Sequence, residues 1–318
     1  MSAPDNVLDR YRHITVVGAG TIGISWAALF LGHGLEVTIN DPAPDVESRT
    51  LAELAGLAPM LGELGLATEG LTDRLRFEPD LELAVRGADV VVENGPENLD
   101  FKRALFGRIE KVVGPETLLL TSTSGTRVTD IARDLERPGR LLVGHPFNPP
   151  HLVPLVEIVP GERTDPEAVA EAVEFYRALG KKPMVLRKEV PGFVANRLQA
   201  ALFQEAVYLV EQGVVDIGEL DEVVTSSIGM RWAACGPFRT FHLAGGPGGL
   251  PHFIEHLGPG LERRWTQLGS PHFDEPTVAL LTEQAAHTFG DYEELQRRRD
   301  ADQLAIQRAL DESARQDP

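Results

Sequence analysis

His13-Ile14-Thr15-Val16-Val17-Gly18-Ala19-Gly20-Thr21-Ile22-Gly23, followed by a helical stretch and then Glu36-Val37-Thr38-Ile39-Asn40-Asp41, decides the fold. The β-branched run at 14–17 favours an extended strand. It leads straight into Gly18-x-Gly20-x-x-Gly23, and residues 22–31 continue with helix-forming side chains. A second short strand, expected at 35–39, ends beside Asp41, 21 residues beyond Gly20. Glycines also mark ordinary turns, but a strand before them, a helix after them and an acid at this distance point to a dinucleotide. In that reading Gly18 makes the tight turn, Gly20 lets backbone approach a pyrophosphate, and Gly23 lets helix and strand pack closely. The start of the helix, with Thr21 and Ile22, turns its amides toward the phosphates. Asp41 accepts both hydroxyls of an adenosine ribose and repels a 2′-phosphate, which favours NAD over NADP.

At 318 residues the chain is long enough for two domains, each with its own core. Its composition, 42% hydrophobic and 25% charged, is that of an ordinary globular protein. No run approaches the ~20 apolar residues of a membrane helix, and residues 1–12 are polar, without a signal-peptide pattern. A single cysteine, Cys235, rules out an internal disulfide and fits a reducing cytoplasm. The formal net charge of −18 disfavours nucleic acid and anionic membranes as partners. An anionic cofactor must therefore be held by local amides and a few placed cations.

Onward from Asp41, residues 44–71 read as one or two helices, and strands are expected at 75–77 and 88–93 with a short helix at 81–86 between them. A turn at 94–98 opens a helix over 99–113. The strand at 118–121 stops at Ser122-Thr123-Ser124-Gly125, before a helix at 128–135. Two more strands, 141–144 and 153–159, bracket His145-Pro146-Phe147-Asn148-Pro149-Pro150; a helix at 166–180 and a last strand at 184–186 follow. Strands alternating with helices at this spacing predict a Rossmann-type, doubly wound, mostly parallel sheet, whose ligands lie outside the carboxyl ends of the strands. Beyond Pro191 the pattern becomes helical, at 193–212, 217–228, 250–257, 277–286 and 292–312. Two domains are thus expected: 1–190, binding the dinucleotide, and an all-α 191–318.

Ser124, His145 and Glu157 occur where such a sheet would present them to a nicotinamide, and Asn196 begins the first helix of the second domain. Oxidising a secondary alcohol needs a base for the hydroxyl proton, and imidazole suits that near neutral pH. A carboxylate behind the imidazole sets its tautomer and stabilises imidazolium. Hydroxyl and amide donors can hold the oxygen. Each residue alone also has a structural reading: Ser124 as a helix cap, Glu157 as a solvated edge-strand acid, His145 as the partner of a loop carbonyl.

GAGTIG, ENGPEN, TSTSG, HPFNPPHLVPLVEI and PGFVANRL, in that order, resemble the 3-hydroxyacyl-CoA dehydrogenase superfamily over nearly the whole chain. The resemblance implies catalytic roles for Ser124, His145, Glu157 and Asn196. It implies NAD contacts from the loop Gly18, Gly20, Thr21, Ile22 and Gly23, and from Asp41, Glu97, Lys102 and Ser122. Ser122 stands where the longer acyl-CoA enzymes usually have Asn.

The stretch Gly229-Met230-Arg231-Trp232-Ala233 through Gly236-Pro237-Phe238-Arg239-Thr240-Phe241-His242-Leu243-Ala244-Gly245-Gly246 looks like the branch that acts on free 3-hydroxy acids, the carnitine and gulonate 3-dehydrogenases. Together with His252-Phe253-x-Glu255 it leans toward the carnitine form. In outline the chemistry agrees. A free carboxylate suits the Arg231 guanidinium, and a trimethylammonium group suits aromatic faces such as Trp232, Phe238 and Phe241. Aromatics at such spacing also serve as core, and Arg231 can equally bind a helix end or a partner subunit. Residues 44–71 hold a single arginine, Arg49, and no lysine precedes Lys102, which counts against the phosphates of CoA. His252 and His256 are four apart, a metal-binding spacing on a helix, but no third ligand is obvious and no metal is expected. The sequence thus predicts a cytoplasmic, homodimeric NAD-dependent dehydrogenase of a small 3-hydroxy acid, L-carnitine first. The competing readings are L-gulonate, another 3-hydroxy acid, a short 3-hydroxyacyl-CoA, or a non-catalytic NAD-binding protein of the crystallin kind.

Overall fold

The computed structural model describes residues 7–316. They fall into two compact units, the first ending at Asn196 and the second beginning at Arg197. In the first unit α1 (Val7–Arg10) precedes β1 (His13–Val17), α2 (Thr21–Gly32), β2 (Glu36–Asn40), α3 (Val46–Glu63), β3 (Leu75–Phe77), α4 (Leu81–Ala84), β4 (Val90–Glu93) and α5 (Leu99–Ile109). There follow β5 (Leu118–Thr121), α6 (Val128–Ile131), β6 (Leu141–Pro146), β7 (Leu155–Pro160), α7 (Pro166–Ala178) and β8 (Lys182–Val185). The eight strands form one sheet in the order β3-β2-β1-β4-β5-β6-β7-β8. Neighbours are parallel except β6 and β7, so β7 and β8 run against the rest. The expected Rossmann-type, mostly parallel sheet is what the chain forms.

Alternation along the strands fills two cores. Val16, Val92, Leu120 and Ile158 face one side, against α2 and α7, while Val17, Val91, Leu119 and Val143 face the other. Strands buried on both faces read as continuous apolar runs, which is why they were visible in the sequence. One element of this unit is shorter than expected. The helix at 128–135 stops at Ile131, because the Arg163 guanidinium takes the carbonyls of Ala132, Arg133 and Leu135 that another turn would have used. A single long helix, with Pro59 inside it, occupies most of 44–71.

The second unit is entirely helical. It comprises most of α8 (Ala195–Glu211), then α9 (Ile217–Val223), α10 (Met230–Ala244), α11 (Gly249–Trp265), α12 (Glu275–Thr288) and α13 (Tyr292–Gln316). The helix expected at 217–228 ends early, in a π-helical stretch at Val224–Gly229. There the Thr225 and Ser227 hydroxyls donate back to the carbonyls of Asp221 and Val223, loosening the helical ladder. α10 carries no helical signature because Gly236, at φ +66°, and Pro237 break its sequence pattern at a bend. Gly245 to Gly249 form the corner between α10 and α11, where Gly246 and Gly249 lie at φ +61° and +63°. Large apolar side chains of this unit stay in the open, Phe238 at 78% and Phe273 at 68% exposure among them. No described helix is long and apolar enough to cross a membrane.

Close packing at the first turn is directly testable. A Cβ on Gly23 would sit 1.9 Å from the Gly18 carbonyl oxygen, whereas one on Gly20 would meet nothing within 4 Å. Gly23→Ala should lower stability by about 1–3 kcal/mol in urea denaturation, and Gly20→Ala by much less.

Candidate active site

β1 delivers the chain into the Gly18 turn at φ +90°, so close to the neighbouring loop that a Cβ there would stand 2.9 Å from the Asn94 carbonyl. Gly20 presents bare backbone. Thr21 and Ile22 open α2, where helix geometry leaves amides without intrahelical partners. The Asp41 carboxylate braces the turn from β2, accepting the amide of Ala19 at 2.8 Å and that of Ala43 at 2.9 Å. Arg49 donates to the Ala19 carbonyl from α3 at 3.2 Å. Gly18, Gly20, Asp41, Pro79, Gly95 and Phe101 border a cavity of about 700 Å³. Bare backbone, unpartnered amides and an adjoining acid fit a dinucleotide.

At the end of β4, Glu93 is fully buried and forms an ion pair with Lys102, itself 1% exposed, at 2.8 Å. Glu93 also accepts from the Thr121 hydroxyl at 2.6 Å and the Gly95 amide at 2.7 Å, so its charge is fully engaged. Lys102 therefore lies beneath the 94–98 turn. Glu97 reaches over to the next loop and accepts from the hydroxyls of Thr123 and Thr126. Partial burial works against its charge, but these bonds and nearby Lys102 hold its carboxyl below the usual range. Ser122 donates to the Asn94 side chain at 2.7 Å. The loops after β4 and β5 are thereby tied to one another.

His145 and Glu157 meet because β7 turns back on β6, which places the two residues directly opposite in register. Opposed residues of an antiparallel pair share a face. The His145 Nδ1 to Glu157 Oε2 separation is 2.9 Å, with the residues 5% and 2% exposed. The other Glu157 oxygen accepts the amides of Val194 and Ala195, both at 3.0 Å, where α8 begins. Burial pushes the carboxyl upward, but His145 and the two amides outweigh it and keep it below the ordinary glutamate range. Phe193 makes this geometry possible. It sits at φ +50°, a conformation bulky residues rarely adopt, and its buried ring lies 5.3 Å from the imidazole. Asn196 approaches the Ser124 carbonyl at 3.4 Å, and Ser124 is exposed. Two of the structural readings do not apply: Arg127, not Ser124, stands at the N-cap of α6, and Glu157 is buried in an interior strand.

The sequence matches the 3-hydroxyacyl-CoA dehydrogenase NAD binding domain over residues 13–190, and the C-terminal domain of the same enzymes over 192–276. The chain belongs to the 3-hydroxyacyl-CoA dehydrogenase family. It is 47% identical over 275 residues to an L-carnitine dehydrogenase of Streptomyces coelicolor, with 86% of this chain and 85% of the relative covered. An L-carnitine dehydrogenase of Pseudomonas aeruginosa is 43% identical over 304 residues, 95% of each chain. Among solved structures, 5-formyl-3-hydroxy-2-methylpyridine 4-carboxylic acid 5-dehydrogenase, an NAD+-dependent dismutase, is similar with a TM-score of 0.80. It is 34% identical, with 94% of this chain and 98% of that one covered. As a member of this family the protein is an oxidoreductase, and NAD is its cofactor.

Sequence reasoning missed several parts of this family member's site. The Thr123 and Thr126 clasp on Glu97 and the Phe193 turn are examples, since both depend on tertiary neighbours. Lys181 is another. It stands 6% exposed beneath the β6–β7 loop, donating to the carbonyls of Pro150 and, at 3.0 Å, Val153, with the Trp26 ring 5.8 Å away. Arg231 and Trp232 belong to the second unit, adjacent and exposed in the first turn of α10.

Burial pulls the Lys181 pKa down to about 7. An unfolded lysine keeps its proton to about 10.4, so between these values the unfolded chain binds more protons and stability rises with pH. The difference between wild type and Lys181→Met should therefore widen in favour of wild type from pH 7 to 9.5, at up to about 1.4 kcal/mol per pH unit, in denaturation series.

Proposed function

We propose that the protein oxidises the 3-hydroxyl of a small free 3-hydroxy acid, L-carnitine foremost, reversibly and with NAD. The observation that carries this is the buried His145–Glu157 pair at 2.9 Å. With its Nδ1–H donated to the carboxylate, the imidazole has Nε2 left as the base. His145 takes the substrate hydroxyl proton, and Glu157, kept ionised, stabilises the imidazolium that results. NAD, when bound, supplies the two-electron acceptor for C3. Ser124 and Asn196 position the reacting oxygen. Gly18, Gly20, Thr21, Ile22, Gly23 and Asp41, with Glu97, Lys102 and Ser122 in the neighbouring loops, hold the cofactor, Lys102 by fixing Glu93 and the turn above it.

Residues 1–190 bind NAD in this scheme, and 191–318 supply substrate recognition and dimer contacts. Arg231 would fork onto the substrate carboxylate, and Trp232 would face its trimethylammonium group. The similarity to L-carnitine dehydrogenases favours carnitine over gulonate or a CoA ester. Exposed Phe238, Trp265 and Phe273 in the helical unit support a homodimer, and the single cysteine suits the cytoplasm.

NADH formation from L-carnitine, L-gulonate, L-3-hydroxybutyrate and 3-hydroxybutyryl-CoA, run in parallel, tests the substrate. Carnitine should have the highest kcat/KM; turnover of the CoA ester alone would overturn the free-acid reading. His145→Ala should lower kcat by about 10²–10⁴-fold while NADH still binds by fluorescence titration. An unchanged rate in that variant would favour a non-catalytic NAD-binding protein.

A further inference from the structure

The second unit carries a side-chain cluster of its own. His252, Glu255 and His256 lie on one face of α11, three and four residues apart, and all three are exposed. One ligand atom from each, an imidazole nitrogen or a carboxylate oxygen, lies within 4.8 Å of the other two. The expectation that His252 and His256 lack a third ligand therefore changes: Glu255 supplies it.

Two further features suit a metal. His256 Nδ1 donates to the backbone carbonyl of His252 at 3.0 Å. That bond selects the tautomer whose Nε2 carries a free lone pair, the usual way a ligating histidine is oriented. The helix itself is anchored by Phe253, which is buried and 4.8 Å from the ring of Phe241. We infer that His252, Glu255 and His256 form a binding site for one divalent transition-metal ion, zinc first, on the surface of the helical unit.

Two imidazoles and a carboxylate favour zinc, cobalt, nickel or copper over magnesium and calcium, which prefer all-oxygen sets. Metal–ligand bonds of about 2.0–2.1 Å place tetrahedral ligands about 3.4 Å apart, so the side chains must draw together by about an ångström. Exposed side chains do this by rotating about χ, with no movement of the helix backbone. Water fills the remaining position. The protein's net charge of −18 favours cation approach.

The test is calorimetric titration of the untagged full-length protein with zinc chloride, in parallel with His252→Ala, His256→Ala, Glu255→Gln and Cys235→Ser. Wild type and Cys235→Ser should each bind one zinc per chain. Either histidine variant should lose more than the ~10-fold that removing an outer partner of a metal ligand costs. Far-UV circular dichroism establishes that the variants are folded, and cobalt substitution gives an independent readout of the ligands by visible absorption. The inference is overturned if wild type binds no zinc, if the histidine variants bind it as wild type does, or if cobalt shows a thiolate band that vanishes with Cys235→Ser.

Discussion

Glu157 is the group on which the candidate site depends. Its carboxylate is nearly sequestered from water, and each of its oxygens faces a different requirement: one the imidazole of His145, the other the amides of Val194 and Ala195. A buried carboxylate is tolerable only when so many donors converge on it. Glu157 thus joins a strand of the sheet to the first turn of α8. This explains why the compact first unit extends through Asn196 and does not stop with the last strand. The base and the start of the helix cannot be displaced independently, because they share one charge.

The reversal of the sheet makes this arrangement possible. Were β7 parallel to β6, its residues would reach the carboxyl edge only after a crossover, and their register with His145 would be set by a helix. A direct antiparallel return instead pairs the two residues across the ladder. Four proline residues, at 146, 149, 150 and 154, limit the conformations of the returning chain, and Lys181 gathers its carbonyls from below. A rigid support behind mobile chemistry is what general base catalysis requires.

Much of this was legible in the sequence, for identifiable reasons. Gly18, Gly20 and Gly23 are read from local sterics, and the buried strands from unbroken β-branched runs. Ser124 and His145 could be placed because a doubly wound sheet brings the carboxyl ends of its parallel strands to one edge, and Glu157 because it interrupts an apolar strand. What escaped was set by tertiary partners. Nothing in the spacing of Arg163 says that it terminates α6, and nothing around Lys102 says that it is buried against Glu93. α10 was invisible because the glycine and proline that bend it are the residues that ordinarily signal its absence. Its His-Leu-Ala-Gly-Gly stretch also has a structural role, since the His242 ring accepts the Leu250 amide across the helical corner.

The Glu93–Lys102 pair has a consequence for how such a chain can change over generations. Removing either partner strands a charge in the interior, at about 3–5 kcal/mol, a large share of the stability of most domains. Replacing both with apolar groups spares that penalty but leaves the Gly95 amide and the Thr121 hydroxyl without their acceptor. Removing either partner alone therefore costs stability, and removing both still leaves two polar groups to be satisfied. Two positions nine residues apart are bound into one inherited unit, and the loop above them can diversify only within the limits they set.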